Sequence, residues 1–207
     1  MMKANVWARL VSMVFHPMIL PSLALIIVLT IPSYVSFSIP VRARGLIIGL
    51  VFINTCLAPM LVILLMKRFG LISDLILDNR SDRIYPMLVS VMFYFFTWYL
   101  FTQANLPSLL ISFVIGATSL VLIGLIVTNF WKISLHMMSM GGFTGYMVAL
   151  SMILGYEMPM LITGSILVSG MLGSARIKLN VHNPPQVYVG WITGIVVMLL
   201  VMFYLRG

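Results

Sequence analysis

Seven apolar runs follow one another along the chain, at about 7–31, 45–66, 86–103, 107–129, 136–155, 158–174 and 185–205. Each lies near the ~20 residues a helix needs to cross a bilayer, so the pattern predicts an all-α, polytopic transmembrane helix bundle of about six to seven spans. The first run contains His16-Pro17 and Pro21, and a proline inside a helix removes a backbone donor and clashes with the preceding turn. That span is expected to be kinked or broken near its start. The run at 158–174 is short and rich in Gly and Ser, which predicts a helix packed closely against its neighbours rather than one facing lipid. Residues 67–83, "KRFGLISDLILDNRSDR", are too polar to span, and their leucines beside Asp74 and Asp78 predict a short interfacial helix. The whole of 1–207 reads as one membrane domain without internal repeats.

Composition agrees with the pattern. Hydrophobic residues make up 62% of the chain and charged ones 8%, with a mean hydropathy of +1.15, values that a domain with a wet surface does not reach. The net charge of +8 comes from twelve bases against four acids. In a soluble protein that excess would suggest nucleic acid. Here the bases sit at the ends of apolar runs, which points away from nucleic acid and towards membrane lipid headgroups or another anionic ligand. Cys56 is alone, so the chain forms no internal disulfide.

The polar residues fall into three clusters. Arg80 and Arg83 precede the third run, Lys132, Ser134 and His136 precede or open the fifth, and Arg176, Lys178 and His182 precede the seventh. Two spans separate each cluster from the next, so an even number of crossings returns all three to one face. Singly, each has an ordinary explanation: interfacial anchors for the arginines, a hydrogen-bonded bundle histidine for His136, a basic headgroup-binding loop for "RIKLNVH". Brought to one face they make a positive pocket at the lipid boundary, and the anion at hand there is a lipid phosphate. Arginine and lysine can hold phosphate oxygens while one imidazole attacks phosphorus and a second protonates the leaving oxygen, chemistry that requires no metal and no cofactor. His16, in "FHP", is read as a kink residue rather than a catalytic one.

The third cluster, "ARIKLNVHNPPQ", resembles the last motif of the type 2 phosphatidic acid phosphatase superfamily, S-R-x5-H-x3-D. Arg176, five residues, His182, three residues and Gln186 keep its spacing. "ISLH" keeps Ser134 and His136 of the family's P-S-G-H, and "NRSDRIYP" is a looser counterpart of K-x6-R-P, so the similar core runs over about 80–190. The resemblance implies that His182 is a nucleophile forming a phosphohistidine, that His136 protonates the leaving group, and that Arg176, Ser134 and either Arg80 or Arg83 bind phosphate, with Lys132 in place of the missing lysine. Gln186 stands where the family has an aspartate that orients the nucleophile, and Ala175 where it has a serine. Three readings follow: an active phosphatase, a weakened one, and a relative that binds or transports lipid phosphate without turnover. Asp78 and Asp82, four apart, faintly suggest a magnesium-dependent prenyltransferase, but with four acids in the whole chain no second aspartate-rich cluster exists.

The expected substrate is a lipid phosphate or polyprenyl diphosphate, and the expected location a bacterial inner membrane, crossed several times. Nine Lys and Arg lie on the motif side against three opposite, but five of the nine are candidate site residues, and the remaining four against three leave the orientation open.

Overall fold

The computed structural model describes residues 6–72 and 80–205, excepting the side chains of 80–83. It is a bundle of α-helices with six helical segments long and apolar enough to cross a membrane, and the protein is a multi-pass integral membrane protein. The exterior is correspondingly greasy: Leu61, Met92 and Leu200 face outward on three different spans.

The first expected span is broken, as His16-Pro17 predicts. It divides into α1 (Val6–Val14) and α2 (Leu20–Thr30), with His16 in the break. A short α3 (Tyr34–Ser38) leads to the first of the six spanning segments, α4 (Val41–Phe52) and α5 (Ala58–Arg68), joined by one π-helical turn at Ile53–Leu57. Thr55 in that turn donates to the Met18 carbonyl at 3.1 Å, filling an acceptor that the break leaves outside any helix and pinning the His16 segment to that span.

The remaining spans are α6 (Arg80–Gln103), α7 (Ser108–Thr128), α8 (Leu135–Leu154), α9 (Pro159–Lys178) and α10 (Pro184–Tyr204). The core of the bundle is α8, buried along most of its length and packed most extensively on α10. Small residues make that contact possible. Gly141 and Gly145 of α8 lie against the Trp191 and Ile195 backbone of α10, and Gly190 and Gly194 of α10 against the Ser134 and Met138 carbonyls of α8, so two small-x-x-x-small stripes let the backbones touch. A Cβ at Gly194 would collide with the Met138 carbonyl, and one at Gly141 with the Trp191 carbonyl. Near the motif face, the Ser134 N–H donates to the Gln186 carbonyl at 3.3 Å, tying the start of α8 to that of α10.

Two expectations change. The helix expected at 158–174 extends to Lys178, so Arg176 and Lys178 ride on its last turn instead of a loop, where positive charge complements the unpaired carbonyls of a helix end. Nor is α9 enclosed: it is a peripheral helix with Met160, Leu167 and Met171 exposed, and Gly164 and Gly170 have open space beside them. Ser165 and Ser169 mark its inward face, on which Ser169 accepts from the Trp191 indole at 2.9 Å, whereas Ser174 is exposed. Small residues mark one face of a helix, and nothing in composition says that the other face is covered too. The interfacial helix expected within 67–83 falls largely outside the described residues.

Candidate functional site

A cavity of about 280 Å3 opens among α2, α5, α6, α7, α8 and α10, and its polar end gathers His16, His136, Arg176 and His182. These four residues come from the α1–α2 break, the first turn of α8, the last turn of α9 and the loop before α10. Sequence separations of more than 100 residues thus collapse into one site, at the end of the bundle where the parity of crossings puts the second and third clusters.

His136 is the hub. Its ring meets that of His16 edge to face, with centroids 5.1 Å apart and planes at 86°. Arg176 and His182 lie within electrostatic reach of it, and the backbone of Ser12 offers its ring a hydrogen-bonding partner. Arg176 is largely enclosed, and its Nε has no hydrogen-bond partner among the described residues. A buried guanidinium donor without an acceptor is costly, and an anion at the cavity mouth would satisfy it. Thr128, at the end of α7, also lines the cavity, with an unpartnered Oγ1 among the described residues.

Local hydrogen bonds fix the state of His182. Asn183 caps α10: its Oδ1 accepts from the Gln186 N–H at 3.1 Å, while Gln186 Oε1 accepts from the Asn183 N–H at 3.2 Å. Pro184 and Pro185 occupy the first turn, where a missing N–H costs nothing. Because the backbone N–H can only donate, the Gln186 atom facing it is the oxygen. The same oxygen lies 3.0 Å from His182 Nδ1, which must therefore be the donor. A neutral His182 then carries its proton on Nδ1 and its lone pair on Nε2. In His16 the arrangement is reversed, since Nδ1 accepts from the Met18 N–H at 3.4 Å and Nε2 carries the proton. Outside the spanning helices, burial and then the nearby Arg176 charge hold the His16 pKa below the ordinary imidazole value, so His16 is neutral at pH 7.

The candidates divide as follows. His136, His182 and Arg176 line the cavity together, and Gln186 stands behind His182. Ser134 is fully buried as the N-cap of α8, accepting from the Met137 N–H at 3.4 Å, and neither it nor Lys132 lines the cavity. Arg80 and Arg83 lie on the first turn of α6, but their side chains, like those of Asp78 and Asp82, lie outside the described residues. His16 and Thr128 were not expected at the site. The only sequence signal for His16 was its face, and for Thr128 its place at the end of a span beside the second cluster. Among the described residues, no group of three His, Cys, Asp or Glu side chains could hold a metal ion.

The chain matches no family model, and no curated protein or solved structure matches it.

Proposed function

We propose that the protein is a membrane phosphatase that hydrolyses a lipid phosphate or polyprenyl diphosphate through a phosphohistidine, as its resemblance to the type 2 phosphatidic acid phosphatases implies. The observation that carries the reading is the Nδ1–H···Oε1 bond from His182 to Gln186. It presents Nε2 as the nucleophilic nitrogen of a residue in the same cavity as a second imidazole and a guanidinium in need of an anion.

In the reaction, Arg176 holds nonbridging phosphate oxygens. His182 Nε2 attacks phosphorus, forming a P–N bond as the bond to the leaving oxygen breaks, and His136 gives that oxygen its proton. A bound phosphate brings the negative charge beside which His136 can carry that proton. Water then attacks the phosphohistidine, His136 takes up the water proton, and inorganic phosphate leaves with His182 restored. Gln186 keeps the ring oriented and accepts from the imidazolium that develops, without the charge an aspartate would add. His16 lines the same pocket, with its proton on the nitrogen opposite to that of His182. The proposed setting is a bacterial inner membrane.

The alternative, a lipid-phosphate binding or transport protein without turnover, is favoured by one feature, the uncharged Gln186. Phosphate release from lipid phosphates and polyprenyl diphosphates, measured on purified protein with excess chelator, separates the two. Release is expected to survive chelation and to fall at least ~1,000-fold in His182→Ala. An active His182→Ala protein would rule out the phosphohistidine.

A further inference from the structure

The cavity is much deeper than a phosphate needs. Its wall runs along α7 from Thr128 to Phe113, roughly 22 Å at ~1.5 Å per residue, and reaches Met198, well into α10. That depth is about three quarters of the ~30 Å hydrocarbon thickness of a bilayer. The charged and imidazole groups are confined to one end: beyond the histidines and Arg176 the wall is chiefly apolar, Ala24, Ala117 and Met198 included, with the hydroxyl-bearing Ser90, Tyr94 and Ser139 interspersed. Phe113 lines the part of the wall furthest along α7 from Thr128, and its ring packs on Tyr146 with centroids 4.3 Å apart. Ala24 and Ala117 keep the passage open where larger side chains would fill it.

We infer that this chamber takes a hydrocarbon chain of the phosphate lipid, drawing it out of the bilayer and into the bundle towards Phe113 while the phosphate stays at Arg176. The inference rests on the polar end being the phosphate-holding end, and not on turnover. A water-soluble phosphate ester would leave a deep apolar chamber unfilled, whereas an amphiphile with a single anionic head matches both ends at once. The bilayer offers the same apolar environment outside, so the chamber adds little affinity for a chain as such. It adds position, because a chain threaded inward fixes the phosphate relative to His182 and His136.

The test uses the whole protein in lipid nanodiscs and dodecylphosphonate carrying a diazirine at its chain end, a probe that cannot be hydrolysed. On irradiation, labelling is expected at Phe113, Ala117 or Met198. Labelling confined to lipid-facing positions such as Met92 and Leu200 would overturn the inference, since it would show the chain remaining in the bilayer. A second measurement compares binding of butylphosphonate and decylphosphonate. Ala117→Phe, which fills the passage, is expected to weaken decylphosphonate at least tenfold and leave butylphosphonate unchanged. Equal loss for both chains, or for neither, contradicts a chain-binding chamber, and wild-type labelling decides the matter should the variant not fold. Phosphate release with labelling only at lipid-facing positions would retain the hydrolase and discard the chamber, whereas inward labelling without any release would do the reverse.

Discussion

Two half-buried arginines at opposite ends of the bundle differ in whether the described chain meets their donors. Arg44, in α4, donates to the carbonyls of Leu29 at 3.2 Å, Ile39 at 3.2 Å, and Ser36. It closes the end of α2 and the turn around α3, and the donors it uses are met by the chain itself. Arg176, in the last turn of α9, is enclosed among histidines and leaves Nε without a partner among the described residues. Both are basic residues at the edge of an apolar span, and in composition they are equivalent. The second has a donor to offer an anion, because its Nε has no acceptor to give up among the described residues.

The sharpest way to break the comparison is to remove each arginine in turn. Arg176→Ala is expected to lower phosphate release about 100- to 1,000-fold, the scale of losing one preorganised charge-stabilising donor, with little change in thermal stability. If Arg176→Ala instead unfolded the protein while keeping its specific activity, the two arginines would be alike after all. Arg44→Ala is expected to destabilise the fold by about 2–3 kcal/mol, since charged hydrogen bonds are lost and carbonyls are stranded, and to leave the specific activity of the folded fraction unaltered. A melting curve and a rate on the same sample read both halves of that statement.

A smaller effect is expected at the residue behind His182, the proposed nucleophile. Gln186→Asp keeps an oxygen acceptor for His182 Nδ1 and adds a charge that stabilises the developing imidazolium, so phosphate release should rise by up to about tenfold. An unchanged or lower rate would argue that Gln186 acts as a cap of α10 and not as an orienting partner. The smallest effect concerns His16. Burial and the Arg176 charge both depress its pKa. Arg176→Gln removes the second cause, so the His16 ring should titrate at higher pH in the variant, as NMR of its ring protons would show. The sign for stability follows from the same depression. Below the ordinary imidazole value the unfolded chain binds a proton that the fold resists, so acid costs stability as the pH falls through the lowered native pKa, and Arg176→Gln should reduce that loss.

Much of the fold was legible in the sequence because apolar run length is itself the physical requirement for crossing a bilayer. Six of the expected spans match spanning helices closely, and the break at His16-Pro17 follows from the chemistry of proline. The meeting of His136, Arg176 and His182 was legible through topology alone, as a matter of parity. What the pattern could not carry was tertiary. A histidine before a proline looks the same whether it bends a chain or lines a pocket, and the edge-to-face contact of His16 with His136 joins positions 120 apart. Ser134 keeps the spacing of a phosphate ligand and also sits just before an apolar run, the position of an N-cap, and the structure gives it that second task. The π-helical turn at Ile53–Leu57 holds Asn54 and Thr55 and precedes Pro59, an interruption too short to change a reading based on run length.

The glycine crossing of α8 and α10 has a consequence for how such a protein can diversify. Where main chains touch, no rotamer is available to absorb a substitution, so the spacing between His136 and His182 belongs to the backbone. Ala24 on α2 and Ala117 on α7 line the chamber away from that crossing, whereas Met198 packs against Gly142 and Gly145 within it. On the proposed reading, selection can revise which tail is admitted through Ala24 and Ala117 while the crossing that spaces the two histidines is inherited unchanged.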